Sequence, residues 1–139
     1  MMIHHLMIAY DGSDQSRKAF DMGLDIATQY RAQVTVLSVA RPPEPPVAVE
    51  MEAVIDSATE YYRGQFNELK DKAQAIGIEP EFEIRIGHPA EQIIILANQL
   101  KTDAIVMGHR GESFLQKWLL GSVARRVLSY AHCTVVVVR

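Results

Sequence analysis

The stretch DAIVMGHRGESFLQKWLLGS, Asp103 to Ser122, decides how the chain is read. It opens with a short, wholly apolar run, the mark of a strand buried on both faces. A loop with Gly108, Gly111 and Gly121 follows. Val123, Val127, Leu128 and Ala131 then recur at helical spacing, with that face expected to turn inward. Buried strand, glycine-rich turn and helix together belong to a parallel sheet covered by helices.

Working outward from that unit, the same alternation fills the chain. Upstream, His88-Pro89 opens a helix with proline in its first turn, carrying Ile93, Ile94, Leu96 and Ala97. EPEFEIRIG alternates apolar and polar, placing Phe82, Ile84 and Ile86 on one face of an edge strand. A long helix near 50–75 carries one stripe of Met51, Val54, Ile55, Ala58, Tyr62, Phe66, Leu69, Ala73 and Ile76, with Gly77 as its stop. Gln33 to Ala40 is a β-branched strand that ends at RPPEPPVAVE, a stiff proline-rich loop. Before it, Ala19, Phe20, Gly23, Leu24 and Ala27 share one face of a helix over 14–29. IHHLMIAY, from Ile3, is the first strand, and it runs into the turn and cap residues Asp11-Gly12-Ser13. Downstream, CTVVVVR supplies a fifth strand. The order β-α-β-α-β-α-β-α-β predicts one α/β domain over 1–139, an open parallel five-stranded sheet with helices on both faces. The arrangement is Rossmann-like, with expected strand order 3-2-1-4-5.

Composition bounds the function. The 139 residues are 48% hydrophobic and 22% charged, as in a soluble globular chain. A formal charge of −3 lacks the basic footprint of a nucleic-acid binder, so no nucleic-acid partner is expected. Lone Cys133 excludes an internal disulfide and a paired-cysteine zinc site, which fits a reducing compartment. With no signal-peptide pattern at the start and no apolar run of membrane-spanning length, the expected location is cytoplasmic, without a membrane partner. His4 and His5 face opposite ways in a strand and do not read as a metal pair.

Open parallel sheets bind ligands beyond the carboxyl ends of their strands, where strand order reverses. Asp11-Gly12-Ser13 ends the first strand and Gly108 the fourth; Val39 and Ala40, ending the second, supply a third wall. Gly108 and Gly111 suit a nest of inward amides, and Gly121-Ser122 stands where the next helix begins. Ser122 is placed either to donate to an anion or to cap its own helix. Asp11 suits ribose hydroxyls or a base amine, yet is equally at home as a turn aspartate. Arg110 is the cation placed to meet phosphates, whereas Lys117, Arg125 and Arg126 read as a solvated face. Phe114 and Trp118 read as clamps for the loop. Taken together, these residues describe a site for a phosphate-bearing nucleotide.

The spacing of MGHRGESFLQKWLLGSVARRVL, G-x2-G-x9-G-S, resembles the signature of the ATP-binding universal stress proteins, and IAYDGSDQS and VTVLSV resemble their first strand-turn and second strand. The resemblance covers the whole chain. It implies ATP, with or without Mg²⁺, with Asp11 near ribose or adenine and Val39 giving backbone contacts to the base. It further implies Met107 and Gly108 along base and ribose, and Gly111, Gly121, Ser122 and Val123 on the phosphates. Ala9 stands where several relatives place proline, and His109 and Arg110 occupy variable loop positions. A homodimer through the fifth strand, Thr134 to Val138, is implied as well, and an uncharged edge strand independently invites such pairing.

Three functions stay open at this level: a nucleotide-dependent regulatory dimer in stress response, a slow Mg²⁺-dependent ATPase or phosphotransferase, and a non-enzymatic dimeric interaction module. The lack of a G-x4-G-K-(S/T) loop and of a base paired with Ser122 or Asp11 favours the first over the second, with slow hydrolysis at most and no catalytic residue assigned.

Overall fold

A computed structural model of the chain describes residues 1–42, 48–110 and 120–139. Nine elements follow one another: β1 His5–Ala9, α1 Asp14–Tyr30, β2 Gln33–Ala40, α2 Ala48–Gln74, β3 Glu81–Ile86, α3 Pro89–Gln99, β4 Ala104–Gly108, α4 Ser122–Tyr130 and β5 Thr134–Val138. All strand pairs are parallel and the sheet order is β3-β2-β1-β4-β5, as expected. The chain builds outward from β1 to β3, then crosses back to place β4 on the other flank of β1. Strand order therefore reverses between β1 and β4.

Side-chain alternation along each strand divides the core into two layers. Leu6 and Ile8 of β1 pack with Ala19, Phe20, Leu24 and Ala27 of α1 and Phe66, Leu69 and Ala73 of α2. Met7 points the other way, into a layer with Ile93, Leu96 and Ala97 of α3 and Ala124 and Val127 of α4. In the central pair, β1 and β4, residues from Leu6 to Ile8 and from Ala104 to Val106 are wholly buried.

Three expectations about burial need correction. The apolar stripe of α2 is buried only at Phe66, Leu69 and Ala73; Met51, Ile55, Ala58 and Tyr62 are half-buried, and Val54 and Ile76 are exposed. A helix of 27 residues is about 40 Å long, whereas the eight residues of β2 span only about 26 Å, so the amino-terminal half of α2 overhangs the carboxyl end of the sheet. Ile86, last in the edge strand β3, is likewise exposed beyond the covering layer. On α4 the inward line runs through Val123, Ala124, Val127 and Ala131, leaving Leu128 exposed on the flank.

Candidate functional site

The β1–α1 turn is rigid because its polar groups satisfy one another. The Tyr10 amide extends the sheet ladder to the Leu37 carbonyl (2.9 Å), and the buried Ser38 hydroxyl donates to the Tyr10 carbonyl (2.6 Å). Asp11 Oδ1 then accepts from the Ser13 amide (2.9 Å), closing an Asx turn. Ser13 caps α1 by accepting from the Ser16 amide (3.1 Å). Among the described residues only Oδ1 of Asp11 makes a hydrogen bond. Gly12 sits at φ +87°, and a Cβ there would overlap the Tyr61 hydroxyl of α2.

Across the reversal point, a second construction joins β4, β5 and α4. The His109 amide donates to the Val138 carbonyl (2.8 Å), and the His109 carbonyl accepts from the Gly121 amide (2.6 Å). Two residues twelve positions apart are thereby pinned together. Gly121 is the N-cap of α4, with no side chain to bond the first-turn amides. His109 is buried, and its Nδ1 has no partner among the described residues.

The glycines act by close approach as much as by conformation. A Cβ on Gly108 would stand 2.7 Å from Gln15 Cβ and 3.0 Å from its carbonyl carbon. One on Gly121 would stand 3.0 Å from Arg110 Cα and 3.1 Å from the His109 oxygen. Neither has positive φ; Gly121, as N-cap, is at φ −63°. The expectation that Gly108 bends the backbone into a nest is corrected accordingly: it ends β4 in extended form and admits α1. The alternative of Ser122 as helix cap is also overturned, because it follows the cap, opens α4 and is exposed.

The fold brings most of the expected residues to this one edge. Ala9, Val39 and Val123 are half-buried and pack on the α3/α4 layer together with buried Met107. Half-buried Arg110 follows His109, beside Gly121. Gly111, Phe114, Lys117 and Trp118 lie outside the described residues, as does the centre of the proline-rich loop. Arg125 and Arg126 are exposed, and Arg125 reaches the Leu120 carbonyl (3.3 Å).

Two side chains of α2 belong to the same neighbourhood and carry no motif in the sequence. Gln65 Oε1 accepts from the Tyr10 hydroxyl (2.7 Å) and from Arg17 (2.9 Å), tying α2 to β1 and α1. Burial raises the Tyr10 pKa above its usual value, opposed by the Arg17 charge. Tyr61 stands one turn earlier, on Gly12. At the opposite, amino end of the strands, a surface groove of about 760 Å³ runs past His5, Arg31, Thr35, Glu79 and Glu81. There His5 Nε2 bonds the Thr35 hydroxyl (2.8 Å), and Asp103 accepts from the amides of His4 (2.8 Å) and His5 (3.0 Å). That end holds the start of β1 to the start of β4 and is remote from the reversal-point crevice.

The universal stress protein family matches residues 2–139. The chain belongs to that family. A universal stress protein of Methanocaldococcus jannaschii is 35% identical, covering 96% of this chain and 81% of that protein. One of Bacillus subtilis is 31% identical across 99% of this chain and 100% of its own length. Among solved structures, a universal stress protein from Lactobacillus plantarum superposes with TM-score 0.90 at 24% identity, covering 100% of this chain and 99% of that one. Two further structural neighbours were solved as nucleotide complexes. One is a universal stress protein with cAMP (TM-score 0.69, 24% identity, 100% and 99% coverage). The other, from Archaeoglobus fulgidus, is bound to dAMP (TM-score 0.70, 19% identity, 100% of both chains). Among the described residues no helix is long and apolar enough to cross a membrane.

Proposed function

We propose that this universal stress protein binds an adenine nucleotide in the crevice between β1 and β4, with ATP, with or without Mg²⁺, as its ligand. The observation that carries the reading is the start of α4. Its first-turn amides lack a side-chain cap, exposed Ser122 stands among them, and the His109–Gly121 bond holds them beside the end of β4. Free amides and the positive end of a helix dipole favour an anion there. Gly121, Ser122, Val123 and Gly111 are assigned to the phosphates, with Arg110 as the nearby cation. The unused oxygen of Asp11 is assigned to ribose hydroxyls or the base amine, and Ala9, Val39, Met107 and Gly108 to the base and sugar. The cAMP and dAMP complexes of structural neighbours support the adenine nucleotide class.

Binding serves regulation if the ligand favours one state of a dimer over another. The β5 edge, Thr134–Val138, is the proposed dimer seam, since among the described residues no strand pairs with the outer side of this uncharged strand. The deciding experiment denatures protein purified without added nucleotide and identifies what is released by mass, alongside calorimetry with ATP, AMP and cAMP. Stoichiometric adenine nucleotide from the wild type, and none from Gly121→Val, is expected. Absence of binding by the wild type, with or without Mg²⁺, would refute the reading; a monomer by light scattering would remove the dimer from it.

A further inference from the structure

The overhang of α2 brings one side chain to the crevice that no feature of the glycine signature supplies. Tyr61 places its hydroxyl directly over Gly12, where only a residue without Cβ leaves room. The placement is anchored. Gln65, one turn on and on the same helix face, is bonded to the Tyr10 hydroxyl and to Arg17. The Tyr61 ring itself meets Tyr62 edge-on, with centroids 5.1 Å apart and planes at 70°, and Tyr62 stacks on Phe66 in the core. Despite this support Tyr61 is 48% exposed. A phenol that is oriented on one edge and open on the other presents a donor and an aromatic face to whatever occupies the turn.

We propose that Tyr61 is a ligand-binding residue that recognises the nucleoside end of the nucleotide, by a hydrogen bond from its hydroxyl to a sugar or base acceptor held over Asp11-Gly12. The proposal rests on the nucleotide reading above. It assigns Tyr61 to the uncharged end because its neighbour in the turn is the acceptor Asp11, whereas the open amides lie across the crevice at α4. Because its ring is already held, little side-chain freedom is lost on binding.

Calorimetry with adenosine, AMP and ATP on the wild type, Tyr61→Phe and Ser122→Ala separates the possibilities. Tyr61→Phe keeps the ring and the fold and removes one neutral hydrogen bond, so it should weaken all three ligands by the same factor, about five-fold. Ser122→Ala should weaken ATP and AMP while leaving adenosine unchanged. Equal affinity of Tyr61→Phe and wild type for adenosine and AMP overturns the assignment, as does a loss that grows with the number of phosphates. If the wild type binds none of the three, the nucleotide reading itself falls and takes Tyr61 with it, a result distinct from wild-type binding that ignores the phenol.

Discussion

Gly121→Ala tests whether the last glycine of the signature is needed by the protein's own backbone. The new methyl would lie 3.0 Å from Arg110 Cα and 3.1 Å from the His109 carbonyl oxygen, against an ordinary contact of about 3.5–4.0 Å. Both neighbours are backbone, so neither can rotate away, and the 2.6 Å bond between Gly121 and His109 must lengthen. Overpacking of this kind costs about 1–3 kcal/mol. Alanine is a poorer N-cap than glycine by about 0.5–1 kcal/mol, which adds to the cost. Opposing both, alanine restricts the unfolded chain and recovers about 0.4–1 kcal/mol, since φ −63° suits it. The net destabilisation is about 2 kcal/mol, or a fall in Tm of roughly 5–10 °C for a domain of this size. Gly64→Ala is the internal control. It lies inside α2 with nothing within 4 Å of its added Cβ, and should stabilise by about 0.5–1 kcal/mol. Thermal melts and urea unfolding of ligand-free protein read both signs. A Gly121→Ala protein as stable as wild type would refute the close-approach argument and leave the glycine explained by ligand alone.

Gln65→Leu strands the buried Tyr10 hydroxyl and should cost about 1–3 kcal/mol in urea unfolding. Adding Tyr10→Phe should then cost almost nothing more, and additive losses in the double-mutant cycle would refute the direct bond. The pH dependence of stability should carry a signature of His5, whose pKa burial lowers below 6.5, with Asp103 and Glu81 partly opposing. Its contribution is complete above pH 6.5 and declines as pH falls through 6.5 towards the folded value, because the unfolded chain takes up the proton first. His5→Gln should flatten the urea midpoint between pH 7 and 5; an unchanged slope would show that His5 is not the group responsible.

The fold was legible because each element carries its own punctuation. Ser13 and Gly12 mark the start of α1, Pro89 that of α3, and Gly77, at φ +77°, follows the end of α2. Periodicity also gave the apolar inward face of α1, Ala19, Phe20, Gly23, Leu24 and Ala27, and missed only buried Ser16, whose hydroxyl bonds the Ser13 carbonyl. It failed on α2 because a 3.6-residue stripe records what a helix can bury and says nothing about how far the sheet extends beneath it. The glycine signature revealed where close approach is needed, yet not who approaches. For Gly108 the partner is Gln15 of α1, nearly a hundred residues away. Tyr61 and Gln65 were invisible for the same reason: the Tyr10–Gln65 bond spans 55 positions, and no local pattern marks either end. Ser38 carried a usable signal, a lone serine inside an apolar strand whose hydroxyl must find a partner, here the Tyr10 carbonyl.

The two walls of the crevice differ in what they leave unsatisfied, and that difference orients the proposed ligand. At the β1–α1 turn, Asp11 Oδ1 and the Ser13 hydroxyl accept from the amides of Ser13 and Ser16, so the start of α1 is capped from within. An anion placed there would compete with those oxygens and face the Asp11 carboxylate. At α4 the cap is a glycine with no side chain to bond the first-turn amides, and Arg110 lies against it. An anion placed there meets donors and positive charge together. The nucleotide proposed above would therefore lie with its phosphates on α4 and its neutral end on Asp11 and Tyr61. The same asymmetry explains why a glycine, which weakens a helix start when nothing is bound, is tolerated at position 121. A serine or aspartate there would complete the cap, crowd the His109 carbonyl and take the amides assigned to the proposed ligand.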